Sequence, residues 1–172
     1  MSLITNDYEA FMFVAAHLLA QKEKAWSDTE DCQYRGYLSS TLDNVKEQAI
    51  TISQEENFNN NNHYENDYDY DIFYDILTDT EHDAKCAVGC LILDDFYDTE
   101  MEGKTIEPYE LVWDAVIRSN PAWKLTDNSY LMLKELQSIH DGRPPEQWEL
   151  ELSRLNVNFD KYKDYEPNTE KE

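Results

Sequence analysis

The sequence predicts a mainly α fold, with α+β as the alternative: a compact helical domain carrying a small hairpin. Three observations predict it. Apolar residues recur at spacings of three and four in five segments, the period of a single helix face. Residues that start helices stand at the head of these segments: Asn6, Ser40 or Thr41, Pro108, Asp127, and Pro144 with Pro145. Hydrophobic residues make up 41% and aromatics 13% of the 172 residues, enough for one core despite a net charge of -23.

Residues 7–25 are expected to form the first helix. Phe11, Val14, Ala15, Leu18 and Leu19 give it one apolar face, and Asn6 caps it with Glu9 three residues on. Residues 28–36 read as a loop with an extended piece at Cys32 to Arg35, the hairpin candidate. A second helix is expected over 38–56, with Leu42, Val45, Ala49 and Ile52 along one side. Four consecutive Asn then make 57–66 a loop.

Residues 84–93, AKCAVGCLIL, are small and apolar and are expected to be buried. DDFYDTEMEGK follows as an acidic turn region. Pro108 opens a helix to Ile117, with Leu111, Val112 and Ala115 facing inward. Asp127 caps a helix over 127–140, where Tyr130, Leu133, Leu136, Gln137 and His140 fall at helical spacing. Pro144 and Pro145 start the last helix, with Trp148, Leu152 and Leu155 on one face. The domain is drawn over 1–160, and 161–172 reads as a polar tail.

Acids outnumber Lys and Arg by 37 to 14. That field repels nucleic acid and anionic membrane, so neither is expected as a direct partner. A basic protein or a cation is the complementary partner. The apolar run MSLITNDYEAFMFVAAHLLAQ has no basic lead and no cleavage site, and it is too short and interrupted to span a bilayer. A cytosolic location follows as an expectation. Cys32, Cys86 and Cys90 fit reduced thiols better than a disulfide framework. With four Gly in the chain there is no phosphate-cradling loop, and no cofactor is expected.

HLLAQ at 17–21, CQYRG at 32–36, KCAVGCLILDDFYDTEMEG at 85–103 and LKELQSIHDGRPPEQWELEL at 133–152 lie in the first, central and last thirds of the chain. Their combination of Cys-x-Tyr-Arg, Lys-Cys-Ala-x-Gly-x-Leu-Ile and Leu-Gln-x-Ile-His-Asp resembles a family of small proteins encoded by bacteriophages and prophages. The resemblance implies a phage origin and a compact helical fold, and it brings no activity with it. In that family a short connector joins the first two of these motifs. Here residues 37–84 stand between them, an acidic insertion.

The residues offer four kinds of site. DYDYDIFYDILT, residues 67–78, places Asp at positions 1, 3, 5 and 9 of a calcium loop, but Ile72 stands where Gly is needed and Thr78 where Glu is needed. His82, Cys86 and Cys90 are spaced by four, with Cys32 as a fourth zinc ligand if the first three share a helix face. Thiols in an apolar run are more simply core residues. Cys86, His140 and Asp141 supply the residue types of a small cysteine-dependent hydrolase or transferase. A Gly-flanked nucleophile turn is missing, and a satisfied core histidine is the plainer reading of His140.

The fourth is the acidic surface. Glu47 to Ala84 holds eleven acids and no Lys or Arg. Asp67, Asp71, Asp75, Asp79 and Asp83 recur at intervals of four, which on a helix makes one stripe with a rise of about 6 Å between neighbours. Tyr70, Phe73, Tyr74 and Leu77 fall on adjoining faces. In a strand, Asp67, Asp69 and Asp71 share one face at about 6.6 Å, and Tyr68 and Tyr70 the other. Asp94, Asp95, Asp98, Glu100 and Glu102 extend the field. Either geometry imitates a phosphate backbone.

The expected function is therefore a phage-encoded, non-catalytic inhibitor working in the host cytoplasm. It mimics nucleic acid on a basic host protein, most simply an antiviral defence complex. Tyr68, Tyr70, Phe73 and Tyr74 would supply salt-resistant contact. The alternatives are the cysteine enzyme and a phage structural or regulatory protein whose acidity only solvates it. Oligomeric state stays open at this level, as does DNA against RNA mimicry.

Overall fold

A computed structural model describes residues 4–26, 33–60 and 68–162. Its first element is α1 (Asp7–Gln21), started by Asn6, whose side chain accepts from the Glu9 amide at 2.9 Å. Phe11, Val14, Ala15 and Leu18 are buried. Leu19 is not part of that face: one step beyond Leu18 the helix has turned about 100°, and Leu19 stays 41% exposed. Lys22 ends the helix in a left-handed conformation.

The rest of the described chain is mainly helical: α2 (Ser39–Asn60), α3 (Tyr70–Thr78), α4 (Leu111–Ser119), α5 (Asp127–Gly142) and α6 (Pro145–Val157). The antiparallel pair expected near Cys32 is present, as β1 (Arg35–Gly36) against β2 (Ala84–Lys85), with Arg35 opposite Lys85. Cys32 itself lies outside the described residues. Residues 84–93 are mostly buried as expected, in β2 and a short 3-10 turn at Gly89–Leu91.

Several expected boundaries move. Residues 57–60 belong to α2, because once a helix is nucleated each added residue gains a backbone hydrogen bond; 61–66 lie outside the described residues. Neither Ser40 nor Thr41 caps α2. Its start is braced from elsewhere in the chain: the Asp83 carboxylate accepts from the Leu38 amide at 2.8 Å and from the Thr41 hydroxyl, and Glu23 accepts from the Ser40 amide at 3.5 Å. Pro108 does not open α4, because Tyr109 takes φ +68°, which no α-helix continues; the helix begins at Leu111. Thr126, not Asp127, caps α5, in a reciprocal pair with Ser129. Lys161 and Tyr162 are not tail: they complete a 3-10 turn at Phe159–Tyr162, and Tyr162 is buried.

Two apolar clusters divide the molecule. The main one joins α1, α4, α5, α6 and the 89–91 turn, with Phe11, Leu91, Met132, Leu136 and Trp148 at its centre. The second is small and lies between α2 and α3: Tyr37, Leu42, Val45, Ala49, Phe73 and Leu77. The described residues between 37 and 84 thus form a lobe with its own core, and the β1–β2 pair marks where the chain leaves and returns. Buried Ser53 helps to close it, accepting from the Asp69 amide at 2.8 Å.

The three motifs meet at the foot of this lobe. Cys86 N–H donates to the Tyr34 carbonyl at 3.3 Å, and the Val88 amide donates to Gln137 Oε1 at 3.1 Å. Gly89 lies so close to β1 that a Cβ there would stand 2.0 Å from the Tyr34 carbonyl oxygen. His17 of α1 donates through Nε2 to the Lys85 carbonyl at 2.9 Å.

Burial holds the His17 pKa below its ordinary value against the hydrogen bond to the Lys85 carbonyl, which raises it, and the His140 and Lys85 charges add to the lowering. The unfolded chain therefore takes up this proton first, at about pH 6.5. His17 is neutral and costs nothing above that pH, and it destabilises the fold as pH drops through it. We expect wild type to lose stability relative to His17→Gln between about pH 7 and 5, read from chemical denaturation at each pH. A constant difference between the two proteins would show that His17 does not titrate against folding. Charge self-repulsion is nearly common to both and drops out.

Candidate functional site: the surface of the α2–α3 lobe

Helix α3 starts at its own cap: Asp69 accepts from the Asp71 amide at 2.8 Å. Phe73 and Leu77 point into the lobe core. That fixes the opposite side toward solvent, where Asp71, Asp75 and Asp79 are exposed. Tyr70 and Tyr74 are also exposed and flank this stripe, their rings stacked with centroids 6.4 Å apart. Half-buried Tyr68 packs on Tyr70 and Phe73. The 67–78 calcium loop does not form, because Tyr70–Thr78 is helix.

Of the five aspartates at intervals of four, α3 carries Asp71 and Asp75, and Asp79 is its C-cap. Asp67 lies outside the described residues. Asp83 lies beyond the helix and is occupied with the start of α2. The stripe is thus shorter than the spacing alone implies. Phe73 is no contact residue either; it is core, because the helix must bury one face to stay on α2.

The outlying acids split by role. Asp94 bridges Arg35 and Lys85, and the Lys85 hydrogen bond, then the Lys85 and Arg35 charges, hold its pKa below the carboxylate range. Arg35 and Lys85 are opposed across the ladder, where like charges repel, so Asp94 is what makes that pairing tolerable. Glu102 is also engaged: it accepts from the Tyr34 amide at 2.8 Å, the Arg35 amide at 3.1 Å and the Tyr97 hydroxyl at 2.7 Å. Asp98 caps a turn by accepting from the Glu100 amide at 2.9 Å. Asp95 and Glu100 are exposed. Sequence reading missed the Arg35–Asp94–Lys85 clamp; its only trace is that Lys85 ends the base-free stretch.

The residues weighed for catalysis and zinc are placed differently. His140 is buried, stacked on Trp148, with Nδ1 2.8 Å from Asp141 Oδ1 and Nε2 accepting from the Ala25 amide at 3.4 Å. Cys86 is buried and accepts from the Gly89 amide at 3.2 Å; burial pushes its thiol up to about 12. Such a thiol is protonated near neutral pH, the reverse of an activated nucleophile. Cys86 and Asp141 do line one cleft of about 340 Å³, where burial raises the thiol and works against a thiolate. The zinc spacing needed one helix through 82, 86 and 90. That segment is instead strand and turn, with His82 against the Tyr37 ring at 4.7 Å. Among the described residues, no three His, Cys, Asp or Glu converge as a metal site.

No family model, no curated protein and no solved structure matches the chain. The case for function therefore stands on this surface and its chemistry. Among the described residues, no helix is long and apolar enough to cross a membrane.

Proposed function

We propose that the chain is a phage-encoded binding protein without catalytic activity. It covers a basic, nucleic-acid-handling site on a host protein in the host cytoplasm, most simply an antiviral defence component. The observation that carries this reading is the solvent face of α3, where Asp71, Asp75 and Asp79 stand beside exposed Tyr70 and Tyr74 on a helix held down by Phe73 and Leu77. Carboxylates about 6 Å apart offer the repeat of a phosphate backbone. The tyrosines add apolar and cation–π contact that salt does not screen. The link to phage and host rests on the motif resemblance.

Binding of this kind is fast at low salt and weakens as salt rises. The test is capture of bacterial lysate proteins on the immobilised chain. We expect a basic nucleic-acid-binding protein that duplex DNA or RNA displaces. The triple variant Asp71→Asn, Asp75→Asn, Asp79→Asn should weaken its binding about tenfold or more, since charges at an interface rim act mainly on association. Its thermal unfolding should match wild type, because all three side chains are exposed. Equal capture by the triple variant, or capture of no such protein at low salt, would sink the mimicry reading.

A further inference from the structure

We propose that two copies of this chain associate through α1, packed antiparallel about a two-fold axis. The observation is the outer face of that helix. Charged residues make up 30% of the chain, yet α1 has none between Ala10 and Gln21. A helix facing water on one side normally places its charges there. Here that side presents Tyr8, Met12 and Leu19, which are 48%, 46% and 41% exposed, with Ala16 and Ala20 exposed beside them.

A second copy is the occupant that the charges select. Each copy carries -23, so two copies repel unless they meet on an uncharged face. The ends of α1 are complementary: exposed Glu9 lies in its first turn, and exposed Lys22 follows its last residue, while Asp7 is turned inward onto Trp123 and Ser129. Parallel packing would bring Glu9 against Glu9. Antiparallel packing brings Glu9 of one copy level with Lys22 of the other and opposes the two helix dipoles.

The apolar residues agree with that register. The midpoint of Glu9 and Lys22 falls between Ala15 and Ala16, and so does the midpoint of Met12 and Leu19. One axis at this point therefore sets Met12 of each copy against Leu19 of the other, with the small Ala16 where the helices cross. Such an interface is isologous, the form that closes as a dimer.

This association has the opposite salt response to partner capture. Screening relieves the repulsion between two acidic copies, so added salt strengthens the dimer. Light scattering after size exclusion tests it. Wild type should have twice the monomer mass of 20.3 kDa, with the dimer fraction rising between about 0.05 and 0.5 M salt. Met12→Glu and Leu19→Glu should each return the mass to 20.3 kDa with the helical circular dichroism of wild type, because both side chains are exposed; their melting should fall only by what association contributes. Ala16→Cys should cross-link into a covalent dimer under mild oxidation while wild type, treated alongside, does not. A wild-type mass of 20.3 kDa at every salt, a dimer that survives Met12→Glu, or a dimer whose Ala16→Cys form does not cross-link would each overturn the proposal.

Discussion

Gly89→Ala is expected to lower unfolding stability by about 3 kcal/mol or more, and to do so without touching any exposed residue. The new Cβ would lie 2.0 Å from the Tyr34 carbonyl oxygen and 2.8 Å from its carbon, both backbone atoms. A flexible neighbour gives way cheaply, but this strand does not. It is held by the β1–β2 pair and by Glu102, which binds the amides of Tyr34 and Arg35. Gly142→Ala is the control. Nothing lies within 4 Å of its Cβ position, and the residue is in α5, so alanine should change stability little or raise it by about 0.5–1 kcal/mol. Urea denaturation of both variants measures the contrast. A Gly89→Ala protein as stable as Gly142→Ala would mean that β1 is not held against the 89–91 turn.

Phe73→Ala is expected to cost about 3–5 kcal/mol, the usual range for emptying an aromatic core position. The loss should be local. Phe73 belongs to the small cluster between α2 and α3, and Trp148 and Met132 belong to the main one. Because β1 and β2 join the two at a narrow foot, the lobe can open while the α1–α5–α6 core stays closed. Amide hydrogen exchange should therefore quicken across α2 and α3 and stay slow in α5. Capture of a basic partner should fall with it, since Tyr70 and Tyr74 lose their support. Equal acceleration in α5 would show that the two clusters fold as one unit.

The two surfaces proposed here draw on different parts of the chain and respond oppositely to salt. Binding through the α3 face, being ionic, would weaken as salt rises. Association through α1, apolar between Glu9 and Lys22, would strengthen as salt screens the repulsion between two acidic copies. A single salt titration of mass and of partner capture separates them, and failure of one leaves the other standing.

The helices were legible wherever their signals are local. The 3.6-residue apolar period placed α1, α2, α5 and α6, and Asn6 and Pro145 marked starts because a cap acts within one turn. What periodicity missed at α2 is set from far along the chain, where Asp83 holds its start. The start of α4 follows a local backbone turn at Tyr109, one residue after Pro108, and a tyrosine does not announce a positive φ. The candidate site was legible in the same limited sense. Its acids and tyrosines were visible, but a run of aspartates every fourth residue does not say where the helix stops.

By itself the sequence determined the charge of this protein, the helical period and the absence of Asp, Glu, Lys and Arg between Ala10 and Gln21, because these are properties of residue order. Only the tertiary structure decided which acids are engaged within the fold. Asp83, Asp94 and Glu102 carry the same group as Asp71, Asp75 and Asp79, yet residues brought from 45 to 68 positions away bind the first three. A carboxylate's availability depends on its neighbours in space, and only folding brings those neighbours to it.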